Sequence, residues 1–193
     1  ILVVCSLLSG FASAAELTPP MAGKPEILPL DQVKPGAQAI AWTVFQGTTP
    51  EAVPVEIIGT WKNAMGPRQH VIVAKMGGKA VRTGVAGGMS GSPVYIDGKL
   101  IGAVALRLSQ FSPDAICGIT PIESMLEIGD IDKSIPTAAR TPDKIVRPQA
   151  IAAEVPGDLL KALVSAGVSQ SSLPANMPLL TPIETPLVFS GFT

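Results

Sequence analysis

Short apolar or alternating runs, separated by glycine and proline, fill the chain between residues 37 and 128. Ala37–Phe45 is apolar and β-prone, Val53–Trp61 alternates, and His70-Val-Ile-Val-Ala-Lys75 is a third short run. Gly47-Thr-Thr-Pro50 and Gly66-Pro67 read as the turns between them. Val94-Tyr95-Ile96 is β-branched and aromatic, Asp97-Gly98 is a preferred two-residue turn, and Leu100–Val104 returns, which predicts a β-hairpin. Beyond a loop over Ser109–Ala115, Ile116–Thr120 predicts a further strand. Pro121–Ile128 predicts a short helix with proline near its first turn. Regular spacing of short strands points to a mainly-β barrel or sandwich.

The flanks carry a different pattern. Residues 1–14 are uncharged and apolar and end in Ala12-Ser13-Ala14, the small-residue pattern of a signal-peptide cleavage site. The run is short for a bilayer span, and with no Met or basic residues ahead of it the expectation is a signal peptide truncated at its start. Cys5 would fit a lipid anchor less well, because Val4 precedes it and the apolar run continues past it. Residues 15–35 are proline-rich and read as an extended linker, with structure beginning near Gly36. The main domain is expected over 36–130. A second polar, proline-containing linker follows over 131–150, then the start of a further C-terminal region over 151–193. Leu159–Val164 has helical spacing after Pro156-Gly-Asp158, and Leu187–Thr193 is an apolar end that reads as interrupted.

Composition narrows the function classes. With 47% hydrophobic residues, 15% charged residues and a net charge of −1, the chain lacks the basic surface that nucleic acid requires. Five Phe, two Trp and one Tyr give little to stack on bases. No apolar run after residue 14 reaches membrane-spanning length. One His and one Cys beyond that point, far apart, make no metal site, and no dinucleotide fingerprint or other cofactor signal is present. Cys117, in an apolar setting, is expected to be a buried packing residue.

Chemistry concentrates in Gly84-Val-Ala-Gly-Gly-Met-Ser-Gly-Ser-Pro93, with four glycines in ten residues. A phosphate loop is excluded, since Gly77-Gly78-Lys79 is followed by Ala80 and the glycines lead into a strand rather than a helix. An α/β-hydrolase elbow is excluded as well: Gly88-Met-Ser90-Gly has Ser92 where that motif needs glycine, and Pro93 with β-branched residues follows. What remains is a Gly-x-Ser-Gly loop entering a hairpin, the chymotrypsin-like way of presenting a serine. Ser90 Oγ is the candidate nucleophile, facing backbone N–H groups aimed at a developing oxyanion. Ser92 reads as structural, its hydroxyl free to bond the turn.

Gly88-Met-Ser-Gly-Ser-Pro93, the Ile96–Gly102 hairpin and Gly118-Ile-Thr-Pro-Ile-Glu-Ser-Met-Leu126 resemble the SpoIVB serine peptidase family, bacterial proteases with a trypsin-like catalytic domain. The resemblance is specific over about Gly84–Leu126 and weaker back to Val33. It implies a mainly-β, trypsin-like (chymotrypsin-type) barrel, incomplete in this sequence, with short helices after it. It places the nucleophile on Ser90 and the oxyanion hole on the Gly88 and Ser90 amides. By position in such folds, Gly118, Ile119 and Thr120 are expected to border the substrate cleft. The family also uses a histidine well upstream and an aspartate shortly before the serine. Here no acidic residue lies between Gly77 and Ser90, and the one histidine, His70, stands 20 residues before Ser90.

His70 is therefore the candidate imidazole base, with Lys75 or Lys79 as amine alternatives if either were desolvated. Asp31, Glu51, Glu56 and Asp114 are the acids available for orienting a base, with none singled out. The expected function is an exported serine endopeptidase acting on a polypeptide, in the periplasm, cell envelope or outside the cell. The alternative is a pseudopeptidase that keeps the serine loop to bind peptide or to scaffold.

Overall fold

The computed structural model describes residues 19–21, 23–108, 114–131, 154–169, 173 and 179–183. The expected signal segment, most of the second linker and Leu187–Thr193 lie outside the described residues. Among the described residues there are seven strands: β1 (Gln38–Thr43), β2 (Glu51–Gly66), β3 (Gln69–Met76), β4 (Pro93–Ile96), β5 (Lys99–Leu108), β6 (Ile116–Pro121) and β7 (Leu180–Pro182). Three helices join them, α1 (Ala80–Thr83), α2 (Ile122–Ile131) and α3 (Gly157–Ser165), with 3₁₀ turns at Leu30–Gln32 and Gly87–Met89.

The ladder runs β4-β1-β2-β3-β6-β5, and β4 also pairs with β5, so six antiparallel strands close on themselves while β7 adds to the far half of β5. Closure removes the open edges that a flat sheet would leave unpaired. The expected hairpin is β4–β5. Asp97 (φ 48°) and Gly98 (φ 78°) both take the left-handed conformation that a tight two-residue turn demands. β2 is longer than the alternating run predicted, and α2 starts at Ile122, with Pro121 closing β6 instead of opening the helix.

Two apolar clusters flank the barrel wall. The first fills the barrel with Ala41, Val55, Ile57, Ile72, Met76, Val94, Val104 and Ile119. The second lies outside the wall, where Trp61, Val71, Val73, Leu106 and Leu108 pack against Leu159 and Leu163 of α3 and against Leu180 of β7. β3 serves both: Ile72, Ala74 and Met76 face inward while Val71 and Val73 face the second cluster. That explains why its sequence is continuously apolar instead of alternating. In β5 a register shift between Val104 and Leu106 moves the strand from one cluster to the other.

The barrel engages more chain than the sequence pattern indicated. Leu28 N–H donates to Leu100 O, Leu100 N–H donates to Glu26 O, and Val33 is buried in the barrel core. Within residues 15–35, read as linker, residues 26–28 therefore form a strap along β5 at Leu100, and Val33 follows into the core. Likewise α3 and β7, expected in a further region, complete the second cluster on this barrel.

Candidate active site

Ser90 stands where β4 parts from β5. Ahead of Pro93 the backbone is pinned to β5 by Gly91 N–H to Val104 O (2.8 Å) and Val104 N–H to Ser92 O (2.9 Å). One residue further along β5, Ile183 N–H donates to Ala105 O, so the end of β7 borders the serine loop. Upstream, Met89 is 2% exposed and plugs the barrel core, holding Gly88 exposed and Ser90 half-buried on either side of it. Gly91 takes φ 84°, which needs glycine. Among the described residues no group hydrogen-bonds Ser90 Oγ.

The loop amides are placed as follows. Gly87–Met89 forms one 3₁₀ turn, in which Ser90 N–H points at Gly87 O (3.4 Å). The Gly88 amide has no acceptor among the described residues. Both amides named from the sequence thus lie in one turn of the loop that carries the serine.

His70 sits elsewhere. Through β4, β5 and β6, Ser92 aligns with Val104, Ile119 and Ile72, and Ser90 lies beyond them on the Ala74 side while His70 lies on the other. The pairings through β1 and β2 send the two residues the same opposite ways. The His70 ring closes the β2–β3 turn, with Nδ1 accepting Asn63 N–H at 3.0 Å. That bond puts the proton of the neutral ring on Nε2, leaving no free lone pair to take a serine proton. The residue faces a groove of about 920 Å³ bordered by Asp31, Lys62, Glu123 and Asp158, and Ser90 does not line it. The structure therefore does not bring His70 and Ser90 together.

The amine alternatives are also engaged. Lys75 Nζ donates to Ala166 O (2.6 Å) at the C-terminal end of α3, where a cation complements the helix dipole. Lys79 pairs with Glu51 and lies over the Phe45 ring. Gly118 and Ile119, expected to border a substrate cleft, lie within the barrel wall. Both are buried and paired to β3 on one side and β5 on the other, so no backbone edge is free for a peptide. A Cβ on Gly118 would press on Leu106 and Val71. Thr120 is half-buried and bound in the same ladder.

Sequence reasoning missed Met89 as the anchor of the loop and β7 as its neighbour. The first was signalled by an apolar residue inside a glycine run. The second has only three paired residues and no detectable pattern. Thr43 was also missed: it ends β1 on the Ser90 side of the barrel, 2% exposed, with Oγ1 lacking a hydrogen-bond partner among the described residues. No group of metal ligands is found among the described residues, and none of their helices is long and apolar enough to cross a membrane.

A closed antiparallel barrel with a Gly-x-Ser-Gly loop running into one of its hairpins defines a trypsin-like peptidase domain. The family model for SpoIVB peptidase S55 matches residues 10–126, and the chain belongs to that family. No curated protein and no solved structure matches the chain.

Proposed function

We propose that this chain is the peptidase domain of an exported serine endopeptidase. Ser90 Oγ attacks a peptide carbonyl, and the Gly88 and Ser90 amides take up the charge on the oxyanion. The observation that carries the reading is the exposure and anchoring of Ser90. The residue is half-buried and its hydroxyl has no hydrogen-bond partner among the described residues, on a loop fixed by Met89 below and by β5 alongside. Ser92, in the same loop, likewise makes no side-chain hydrogen bond among the described residues but is buried, so what sets Ser90 apart is its access to solvent.

As the acyl bond forms and the peptide C–N bond breaks, the Ser90 proton ends on the leaving amine; among the described residues His70, Lys75 and Lys79 are all engaged elsewhere and do not relay it. The same observation favours a second reading, a pseudopeptidase that binds polypeptide at the serine loop without cleaving it. Hydrolysis of an unfolded polypeptide separates the two. The enzyme reading expects cleavage that is abolished by Ser90→Ala and kept by His70→Ala. Saturable binding of the same polypeptide without cleavage would leave the pseudopeptidase.

A further inference from the structure

The peptide between Gly87 and Gly88 is turned the wrong way for an oxyanion hole. In the 3₁₀ turn Gly87 O, an acceptor, lies in front of Ser90 N–H, one of the two donors that the proposed chemistry requires. A substrate carbonyl oxygen arriving there would meet another oxygen. Rotating the Gly87–Gly88 peptide plane by about 180° removes that oxygen, frees Ser90 N–H and swings Gly88 N–H round beside it.

Three features of the loop fit such a rotation. The bond that must break, Ser90 N–H to Gly87 O at 3.4 Å, is the longest in the loop and lies beyond the usual 2.7–3.2 Å range of about 2.9 Å bonds. The bonds on either side are shorter: Met89 N–H to Ala86 O and Ser92 N–H to Met89 O at 3.1 Å, and Gly91 N–H to Val104 O at 2.8 Å. They need not change, because Met89 stays in the core. Space is also available, since Gly88 is exposed and a Cβ built on it meets nothing within 4 Å.

The third feature is Gly88 itself. It lies outside the positive-φ region in this conformation, so neither backbone angle nor packing calls for glycine there. Flipping the preceding peptide carries φ of residue 88 from roughly −60° to roughly +120°, a region open to glycine and closed to L-residues. Glycine at position 88 is explained by the flipped state.

We propose that the oxyanion hole of this domain is closed at rest and assembles when the Gly87–Gly88 peptide flips, with Gly88 as the hinge. The inference rests on the reading of Ser90 as nucleophile, and it gives the domain an intrinsic low-activity state that substrate binding relieves.

The test uses the full chain with Gly88→Ala and, by semisynthesis, Gly88→D-Ala, whose preferred φ is positive. Fluorophosphonate labelling of Ser90 is expected to be at least about 100-fold slower in Gly88→Ala than in the wild type, the scale of losing one oxyanion donor. It is expected to be faster than wild type in Gly88→D-Ala, with the melting temperature of Gly88→Ala unchanged or raised. Labelling of Gly88→Ala at the wild-type rate would overturn the flip while leaving Ser90 as nucleophile. If no form labels, the nucleophile reading fails, and hydrogen exchange of the Ser90 amide decides the hinge alone. Faster exchange in Gly88→D-Ala than in Gly88→Ala supports it, and equal exchange overturns it.

Discussion

Ser90 owes its exposure to Met89, whose side chain fills the barrel while the flanking residues turn outward. Both residues were visible in the sequence, but only Ser90 was read for its chemistry. His70 shows the opposite limit. Its type marked it as a base, yet which end of a strand it occupies follows from register, which sequence spacing alone does not give. Cys117 was correctly read as buried, and burial pushes its thiol from an ordinary 9.0 up to about 12, against a smaller lowering by a backbone hydrogen bond. Ionisation of the unfolded thiol therefore begins near pH 9 while the folded thiol stays neutral to about 12. This contribution to stability is whole below that window and is lost as pH rises through it. Urea unfolding between pH 8 and 11 is expected to show the decline in the wild type and a shallower one in Cys117→Ala, and the native thiol is expected to resist Ellman-type reagents at pH 8.

The strands were legible wherever a run alternated or was closed by a strong turn. The β4–β5 hairpin is the clearest case, because Asp97-Gly98 specifies both its turn and its pairing. β2 and β5 were harder, since each changes register along its length. A bulge breaks the two-residue period on which the reading depends. Gly102 lies where β5 passes close to β6: a Cβ there would fall onto the Thr120 carbonyl oxygen, which is backbone and cannot move aside. Gly102→Ala is expected to cost about 3 kcal/mol, the upper range for overpacking. Chemical denaturation checks it against Gly98→Ala, a turn change outside the wall that should cost less.

At the scale of the molecule, the sequence pointed to a trypsin-like barrel but drew the ordered body too small. Proline content made residues 15–35 read as an extended linker, whereas the backbone of residues 26–28 bonds β5 and Val33 enters the core. β7 and α3 were underread for the complementary reason. Their partners on β2, β3 and β5 are far away in sequence, and only the closed barrel shows an outer face left to cover. A chain beginning at Gly36 is expected to lose at least about 2 kcal/mol, since burial of Val33 and the strap bonds go together. Equal stability of the shortened and full chains would show the strap to be dispensable.

The most direct measurement of the central claim is fluorophosphonate labelling of the folded full chain, followed by peptide mapping of the adduct. The account predicts one adduct, on Ser90, absent from Ser90→Ala and retained in His70→Ala. A folded protein that never labels at Ser90, even with Gly88→D-Ala in place, would contradict a nucleophilic role for that serine.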